Sequence, residues 1–388
     1  MEIMIETCCG IDVHQKSIVC CILDGPLDTN KPKKIQKTFG TTTVALQNAL
    51  AWLEENQVTH VFFESTGQYW VPLFNLFSDS ELTLVLANPQ HIKNVPGRKT
   101  DVKDAEWIAQ LERCGLIAPS YIPSPEVMQL RLLTRRRRSY KQRQTQVKNE
   151  MHNLLQRANI KLTSYLSDIF SKTGQALLTL FINGQTIDVA TVSSCIHKQV
   201  KASPEELVET MNGKLSLEDQ FLLDQSLEEY RLYQTLMTTL DKEIQAYIQK
   251  HFPEENKRLQ TISGVSEACA AVILAEIGPS IEAFETDAHL ASWAGLCPGS
   301  YESAGKNKSS HITQGNRYIK HALTLAGLTA GRSKDPAFSS FYHRISQRGS
   351  KMKAVIACAH KLLRIIYKLL ATQQNYQQEK ALGLRQQF

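Results

Sequence analysis

The hydrophobic residues of the first 125 positions follow two patterns, one typical of β-strands and one typical of helices. β-rich runs within 7–23 surround a polar turn at 13–16, which predicts a β-hairpin, and a run at 34–41 predicts a third strand. Apolar positions three and four apart then alternate with short apolar runs. These predict a helix over 42–55, a strand over 58–64, a helix over 69–77, a strand over 82–87 and a helix over 101–114. Three strands followed by alternating helices and strands predict an α/β domain over residues 1–125.

Two long helical patterns dominate residues 126–255. The second begins after Ser216, a predicted helix cap, and runs to residue 249. Its apolar positions recur every seven residues, at Leu223, Tyr230, Met237 and Ile244. This spacing predicts a coiled-coil seam that pairs with the first helix, with another subunit or with both, and one helix of a larger bundle is an equal alternative. Residues 160–215 form an insertion to which the sequence assigns no role.

A third, mainly helical domain is predicted over residues 256–375. It opens with a helix-hairpin-helix-like element around Gly264, a type of element whose hairpin amides can face phosphates. A polar, glycine-containing stretch at 300–311 predicts a loop before the chain returns to helix. A final basic helical region is predicted over 343–368, and residues 376–388 are predicted to form a frayed tail.

Composition narrows the class of protein without deciding its function. The 388 residues are 42% hydrophobic and 21% charged, with a net charge of +6, as in an ordinary globular protein. No apolar run approaches a membrane span and no signal sequence is evident, so we expect a cytoplasmic protein without a membrane partner. The nine cysteines are scattered without a CxxC pair. Several lie in apolar runs, which predicts buried reduced thiols and argues against a disulfide framework or a zinc site.

A run of cations lies on the first long helix of the middle region. Residues 131–148 contain no acid, so the run would carry a strong positive field unless a polyanion neutralised it. A solvated helix face is the ordinary alternative. We favour a contact with nucleic acid. The candidate residues are Arg131, Arg135, Arg136, Arg137, Arg138, Lys141, Arg143 and Lys148.

Four acids stand at the ends of predicted elements in the α/β domain. Asp12 and Glu64 each terminate an apolar strand. Asp101 and Asp104 begin the helix that follows the last strand. Each acid taken singly can be a helix cap or a turn residue. Together they lie where side chains of a parallel or mixed sheet converge on a crevice, and clustered carboxylates there can hold hard divalent cations against a phosphate.

Several motifs carry a resemblance to a known family. They are Gly10-Ile11-Asp12, Phe63-Glu64-Ser65-Thr66-Gly67, Lys99-Thr100-Asp101-Val102-Lys103-Asp104-Ala105, Ile262-Ser263-Gly264-Val265, Ala294-Gly295-Leu296-Cys297-Pro298, Glu302-Ser303-Ala304-Gly305-Lys306 and Gly315-Asn316. Together they resemble the insertion-sequence transposases that combine an N-terminal RuvC-like four-acid (DEDD) nuclease domain with a C-terminal serine-bearing transposase domain. That family includes bridge-RNA-guided recombinases and is related to Piv-type DNA invertases.

The resemblance implies a ribonuclease-H-like N-terminal fold and a DNA transposase or recombinase activity. By resemblance, Asp12, Glu64, Asp101 and Asp104 would bind Mg²⁺, with Mn²⁺ able to substitute. Ser303 would be the nucleophile that forms a covalent phosphoserine intermediate. The basic residues near it, Lys306, Lys308 and Arg317, are expected to contact nucleic acid. The implied partners are DNA, a structured guide RNA and further copies of the chain in a dimer or tetramer, in the bacterial cytosol or nucleoid.

Two other functions remain open alternatives. A hydrolytic junction nuclease would use the same acids with water as the nucleophile, and an inactive relative would keep only nucleic-acid binding. The complete set of four acids argues against the inactive relative. The loop around Ser303 argues against the hydrolase, because a nuclease that uses water does not need a serine from a second domain.

Overall fold

A computed structural model describes residues 4–28, 31–64, 67–87, 104–116, 119–299, 302–303, 306–307 and 311–382, with the backbone alone at 302–303 and 306–307. The chain forms two compact units, Met1–Ile122 and Pro123–Phe388. The first is a mixed α/β unit, and the second contains both the predicted helical middle and the predicted C-terminal segment.

A five-stranded sheet forms the centre of the first unit, in the order β3-β2-β1-β4-β5. Its strands are β1 (Thr7–Val13), β2 (Ser17–Asp24), β3 (Lys33–Gly40), β4 (His60–Glu64) and β5 (Thr83–Ala87). The first three strands pair antiparallel, whereas β1, β4 and β5 are parallel. The predicted hairpin and the strand–helix alternation are confirmed, and the topology is compatible with a ribonuclease-H-like domain.

In the described part of the first unit, three helices cover the sheet: α1 (Thr43–Glu55), α2 (Trp70–Phe77) and α3 (Asp104–Arg113). Successive side chains of a strand point to opposite faces. Ile11 and Phe63 therefore pack with α1 and α2, while Cys8 and Phe62 pack on the other face with α3. The central strands are buried on both faces, which explains why their sequences are apolar almost throughout.

Gly10 allows α3 to lie directly on β1. A Cβ atom built at Gly10 would lie 2.1 Å from the carbonyl oxygen of Ala105 and 2.6 Å from the amide nitrogen of Ala109. Both atoms belong to the backbone of α3, so a side chain here would have to displace the helix. The small residue thus sets the distance between the helix that begins at Asp104 and the strand that carries Asp12.

Two long helices, α4 (Pro125–Arg157) and α8 (Leu217–His251), pack along each other in the second unit. The predicted cap is confirmed, because the Ser216 hydroxyl accepts a hydrogen bond of 3.1 Å from the amide of Asp219. The heptad positions of α8 are buried within the unit, at Leu223, Tyr230, Met237 and Ile244. This row of the seam is therefore covered inside one chain, and its pairing with another subunit stays a prediction.

The insertion at 160–215 folds as a helical cap on α4 and α8. It contains a 3-10 turn (Leu162–Ser164) and the helices α5 (Lys172–Ile182), α6 (Val189–Cys195) and α7 (Pro204–Thr210). Leu177 of the cap shares a buried cluster with Met151 of α4 and Leu227 of α8. The segment therefore contributes a hydrophobic core to the second unit.

The remaining elements are α9 (Pro253–Gln260), α10 (Glu267–Ile277), α11 (Asp287–Trp293), β6 (Glu302–Ser303), β7 (Lys306–Asn307), α12 (Arg317–Gly331), α13 (Pro336–Arg348), α14 (Lys351–Thr372) and α15 (Gln378–Leu382). The basic helical region predicted over 343–368 is helical apart from a short interruption, and it consists of two helices. The first helix ends at Arg348, with Gly349 following it. Ser350 caps the next helix by accepting a 3.2 Å hydrogen bond from the amide of Lys353.

The prediction of a frayed tail is wrong for residues 376–382. The Tyr376 hydroxyl donates to Asp335 Oδ2 at 2.8 Å, as does the Ser263 hydroxyl. The Gln378 amide donates to Asp335 Oδ1 at 3.1 Å. Asp335, only 8% exposed, also caps α13 and so ties the C-terminal segment to the turn between α9 and α10.

The expectations about membranes and thiols concern the same described residues. In that part of the chain, no helix has the length and apolar character needed to cross a membrane. The described cysteines are all free, and those predicted to be buried are buried. Burial raises the pKa of the Cys8 thiol to about 12, which keeps it protonated and unreactive at neutral pH.

We expect Gly10→Ala to lower the free energy of unfolding of the first unit by about 3 kcal/mol, because the new methyl group meets helix backbone that cannot move aside. Gly40→Ala is the matched control, since its Cβ would make only an ordinary 3.4 Å contact with the Ala45 side chain. Denaturant unfolding of both variants measures the difference. Equal losses would mean that α3 shifts freely on the sheet.

The Asp335 cluster predicts an acid-sensitive second unit. Burial by itself would raise the pKa of Asp335, but hydrogen bonds from Tyr376 and Ser263 outweigh it and hold the pKa below its ordinary value. Its stabilising contribution is therefore complete above the unfolded-state pKa of about 3.9 and is lost as pH falls through the lower folded value. Asp335→Asn should flatten the loss of thermal stability below about pH 4. Glu282→Gln, at an exposed site, should leave that profile as in the wild type.

Candidate functional site

Two predicted acids lie at the same edge and on the same face of the sheet. Ile11 of β1 is the parallel partner of Phe63 of β4. Asp12 and Glu64 are the next residues along these two strands, so they lie side by side. Strand alternation places both on the face that α3 covers, with Cys8 and Phe62. The carboxyl ends of parallel strands thus bring these two acids together, as their sequence positions predicted.

Asp104 is brought to this edge by the helix that packs against Gly10. It is the first residue of α3. Burial is the largest influence on Asp12 and raises its pKa, and the negative charges of Asp104 and Glu64 raise it further. His14 acts in the opposite direction, with its Nε2 atom 3.0 Å from Asp12 Oδ2. Asp104 and Glu64 therefore both lie within electrostatic reach of Asp12.

The chemistry of these donors suits a divalent cation. The pKa of Asp12 is raised first by burial and further by two neighbouring carboxylates, and a hard cation would offset the negative charge of these groups. Asp101, the fourth predicted acid, lies outside the described residues. Among the residues that are described, no group of three or more Asp, Glu, His or Cys side chains is close enough to hold a metal ion. Asp12, Glu64 and Asp104 therefore do not form a complete metal site by themselves, and metal binding by the four acids stays a prediction.

Ser303 lies at the tip of a β-hairpin in the second unit, where a loop was predicted. The backbone of Ser303 in β6 pairs with that of Lys306 in β7, and two residues connect the strands. Outside this pair of strands, the amide of Gly299 donates to the carbonyl of His311 at 2.9 Å. Within the stretch predicted as a loop, the described residues 302–303 and 306–307 thus form a short antiparallel pair of strands. Lys308 lies outside the described residues.

The base of this hairpin is closed by two glycines from separate motifs. Gly295 has a φ of +69°, and a Cβ atom at Gly315 would lie 2.3 Å from the amide nitrogen of Gly295. No larger residue fits at this approach. The amide of Asn316 also donates to the carbonyl of Trp293 at 3.0 Å. The Ala294-Gly295 and Gly315-Asn316 motifs, twenty residues apart, thus meet and fix the start and end of the hairpin.

A fully buried carboxylate, Glu276, joins the hairpin base to the basic helix. Asn316 donates to Glu276 Oε2 at 2.7 Å while its own side-chain oxygen caps α12. Arg135 donates to both Glu276 oxygens, at 2.9 and 2.8 Å. Arg131 donates to the carbonyls of Ala275 and Glu276, the last turn of α10, where a cation is favoured. One acid therefore organises α4, α10 and α12.

The fold supplies acids that the basic run lacks in its local sequence. Asp241 of α8 accepts two hydrogen bonds from Arg137, one from Nε and one from Nη2 at 2.9 Å. The Nζ atom of Lys148 lies 3.6 Å from Asp168 Oδ1. Together with Glu276, these acids offset part of the positive field that residues 131–148 would otherwise carry. The expectation of an uncompensated run is corrected because its counter-charges come from distant parts of the chain.

The other cations of the run have no acid partner among the described interactions. Arg138 donates to the carbonyl of Arg317 at 2.9 Å and lies 5.0 Å from the centre of the Tyr318 ring. Lys141 donates to Gln144 at 3.1 Å. The side chains that remain exposed to solvent on α4 include Arg136, Lys141 and Arg143. These are the members of the run best placed to meet a polyanion.

Two models of known protein families match this chain, one in its N-terminal part and one in its C-terminal part. Residues 9–160 match the profile of the IS110 DEDD transposase, described as a transposase. Residues 256–343 match the profile described as transposase, IS116/IS110/IS902 family. The chain contains transposase domains of the IS110/IS116/IS902 family. The resemblance predicted from the motifs is confirmed at this level.

Individual relatives of this transposase family align over part of their length. The chain is 34% identical over 140 residues to the pilin gene-inverting proteins of Moraxella bovis and Moraxella lacunata, covering 34% of this chain and 43% of each relative. It is 30% identical over 147 residues to "Insertion element IS110 uncharacterized 43.6 kDa protein" of Streptomyces coelicolor, covering 37% of this chain and 35% of that protein. The chain therefore matches less than half the length of each relative.

Sequence reasoning missed Glu276. A signal was present, because Glu276 is the one charged residue in the otherwise apolar stretch 268–277. An acid in such a segment is buried only with a partner, and the nearest acid-free basic run supplies one. Asp241 gave no comparable signal, since it lies in a helix rich in exposed charges.

We expect Glu276→Gln to lower the free energy of unfolding of the second unit by roughly 2 kcal/mol, because it leaves the Arg135 charge without its counter-ion. The expected loss is smaller than for a fully buried pair, since the Arg135 side chain is 36% exposed. Asp241→Asn breaks the more exposed pair with Arg137 and should cost at most about 1 kcal/mol. Denaturant unfolding compares the two, and the reverse order would remove Glu276 from the centre of the unit.

Proposed function

We propose that this chain is a DNA recombinase of an insertion sequence, which cuts and rejoins strands through a covalent phosphoserine intermediate. The observation that carries the proposal is the convergence of Asp12, Glu64 and Asp104 on one face and one edge of the sheet in the first unit. The match to transposase domains supports it, as does the hairpin that carries Ser303. DNA, a structured guide RNA and further copies of the chain, as a dimer or tetramer, are the proposed partners.

The acids are proposed to form the site at which the reacting phosphodiester is bound through a divalent cation. Asp12, Glu64 and Asp104, with Asp101 by family resemblance, would hold Mg²⁺, and Mn²⁺ would substitute for it. Such an ion, when bound, offsets charge on phosphate oxygens that carboxylates alone would repel. The carboxylates themselves fix the position of the site: Asp12 and Glu64 by strand register, and Asp104 by the packing of α3 against Gly10. A rigid support of this kind favours a defined geometry for phosphoryl transfer.

Ser303 is proposed as the nucleophile. Its hydroxyl oxygen would form a bond to phosphorus as the bond from phosphorus to a deoxyribose oxygen breaks, and the serine proton would leave with the released deoxyribose hydroxyl. The hydroxyl of a different strand would then displace the serine in the reverse reaction. Each step exchanges one phosphate ester for another, so strands are rejoined without an external energy source.

Nucleic-acid binding is proposed for the exposed part of the basic run and for the cations around the hairpin. Arg136, Lys141 and Arg143 supply the positive charge on α4, since Arg135 and Arg137 are held by acids of the same unit. Arg317, at the start of α12, is exposed beside the hairpin base. Lys306 and Lys308 are proposed to add to this surface. Pairing of α8 with another subunit would extend it by symmetry.

The decisive experiment is to trap the covalent adduct. Labelled, nicked DNA carrying the ends of the encoding element is incubated with Mg²⁺ and RNA transcribed from its non-coding flank, then denatured in detergent. The wild type should retain label on the protein, on a peptide that contains Ser303. Ser303→Ala should lose the adduct, whereas Ser309→Ala/Ser310→Ala should keep it.

Asp12→Asn supplies the second arm of this test. It removes one negative charge from the acid edge without changing side-chain size, so it should abolish the adduct while nucleic-acid binding persists. An adduct that survives in Ser303→Ala and disappears in the double serine variant would assign the nucleophile elsewhere. Cleaved DNA with no adduct in the wild type would favour the hydrolytic nuclease.

A further inference from the structure

A cavity of about 530 Å³ lies among α4, α8, α10 and α12 of the second unit. Its inner wall is apolar and includes Met237, Ile244, Val272 and Ala322. Its volume falls within the range of pockets that hold a small ligand, about 300 to 1,000 Å³. The acid edge lies in the other unit, and neither the family match nor the proposed serine chemistry assigns this cavity a role.

Cations also line the cavity. Arg135 and Arg137 are paired with Glu276 and Asp241, which line it as well. Arg138 and Lys141 also line it, and their described hydrogen bonds go to neutral acceptors, the carbonyl of Arg317 and the amide oxygen of Gln144. The lining therefore has two positive charges beyond its acids, which favours an anionic ligand.

A preorganised stacking surface also forms part of the lining. The Arg135 guanidinium lies 4.2 Å from the centre of the Tyr318 ring and is held in place by two hydrogen bonds to Glu276. Aromatic rings and guanidinium planes are the surfaces on which proteins stack unpaired bases. The neighbouring His321 has a pKa lowered by burial and by Arg138, so it stays neutral at pH 7 and can both donate and accept hydrogen bonds.

We propose that this cavity binds one unpaired nucleotide of a single-stranded nucleic acid, with its base against the apolar wall and its phosphate at Arg138 and Lys141. A base matches the apolar wall and the stacking surface, and a phosphate matches the excess positive charge. An amphipathic helix fits less well, since it needs several turns of apolar groove and no cationic side. The inference rests on the proposed nucleic-acid function, and it adds a recognition site next to the base of the Ser303 hairpin.

Filling the cavity tests its use directly. Ala322→Trp places a bulky group in the cavity and removes no charge, and Ala246→Trp makes the same change at an exposed position of α8 that does not line it. Binding of labelled single strands is measured by fluorescence anisotropy in EDTA, with normal strands and with strands of abasic nucleotides. Without divalent cations no serine chemistry takes place, so failure of the adduct experiment and failure of this one are separate results.

The wild type and Ala246→Trp should bind normal strands about tenfold more tightly than abasic strands, because one base is stacked in the cavity. Ala322→Trp should lose that preference while the salt dependence of its affinity is unchanged, since no phosphate contact is removed. The proposal would be overturned if Ala322→Trp kept the full preference for normal over abasic strands, or if the wild type showed no such preference. A thermal melt establishes whether Ala322→Trp is folded.

Photo-cross-linking of the unaltered chain gives an independent answer if Ala322→Trp does not fold. RNA containing 4-thiouridine and DNA containing 4-thiothymidine are irradiated with the protein, and the cross-linked peptides are mapped. Cross-links to α12 at Tyr318, His321 or Ala322 support the proposal, and the nucleic acid that forms them identifies the source of the nucleotide. Cross-links confined to other parts of the chain, with both nucleic acids, would refute it.

Discussion

The second unit depends on one buried carboxylate. Glu276 is completely inaccessible to solvent, so its charge must be balanced within the protein. Arg135 supplies the charge and Asn316 supplies a further hydrogen bond. These partners lie on α4 and at the start of α12, so neutralising one acid fixes three helices together. The hairpin of Ser303 ends at Asn316, and the cavity is lined by Arg135, which makes both sites consequences of the same ion pair.

The first unit was largely predictable because its signals are local. Strand alternation, helical spacing and turn residues each act within a few positions, and they gave the hairpin, five strands and three helices of the sheet domain. The proximity of Asp12 and Glu64 followed from the rule that parallel strands align their carboxyl ends. The role of Gly10 did not follow, because a glycine in a strand shows that something lies close without saying what. The packing of α3 against that position, and therefore the approach of Asp104, required the three-dimensional structure.

The second unit was less predictable because its decisive interactions join distant residues. Local sequence showed eight cations without an acid, yet Glu276, Asp241 and Asp168 reach them from later helices. The tail looked frayed because it is polar, but its Tyr376 binds a carboxylate that is buried by other elements. The stretch around Ser303 looked irregular because it lacks aliphatic residues. Its ribbon is set by backbone pairing and by the meeting of Gly295 and Gly315, neither of which leaves a hydrophobic pattern.

These pairings change what the basic run can contribute to nucleic-acid binding. An arginine whose guanidinium is fixed by a buried acid provides shape and a stacking plane, whereas an exposed one provides charge and releases counter-ions. Arg135 belongs to the first kind, and Arg136 and Arg143 to the second. Replacing the run as a block would therefore mix a loss of folding with a loss of affinity. Substitutions at the exposed arginines measure the electrostatic contribution to binding, because those side chains are not held by a buried acid. Filling the cavity measures base recognition, because it removes no charge.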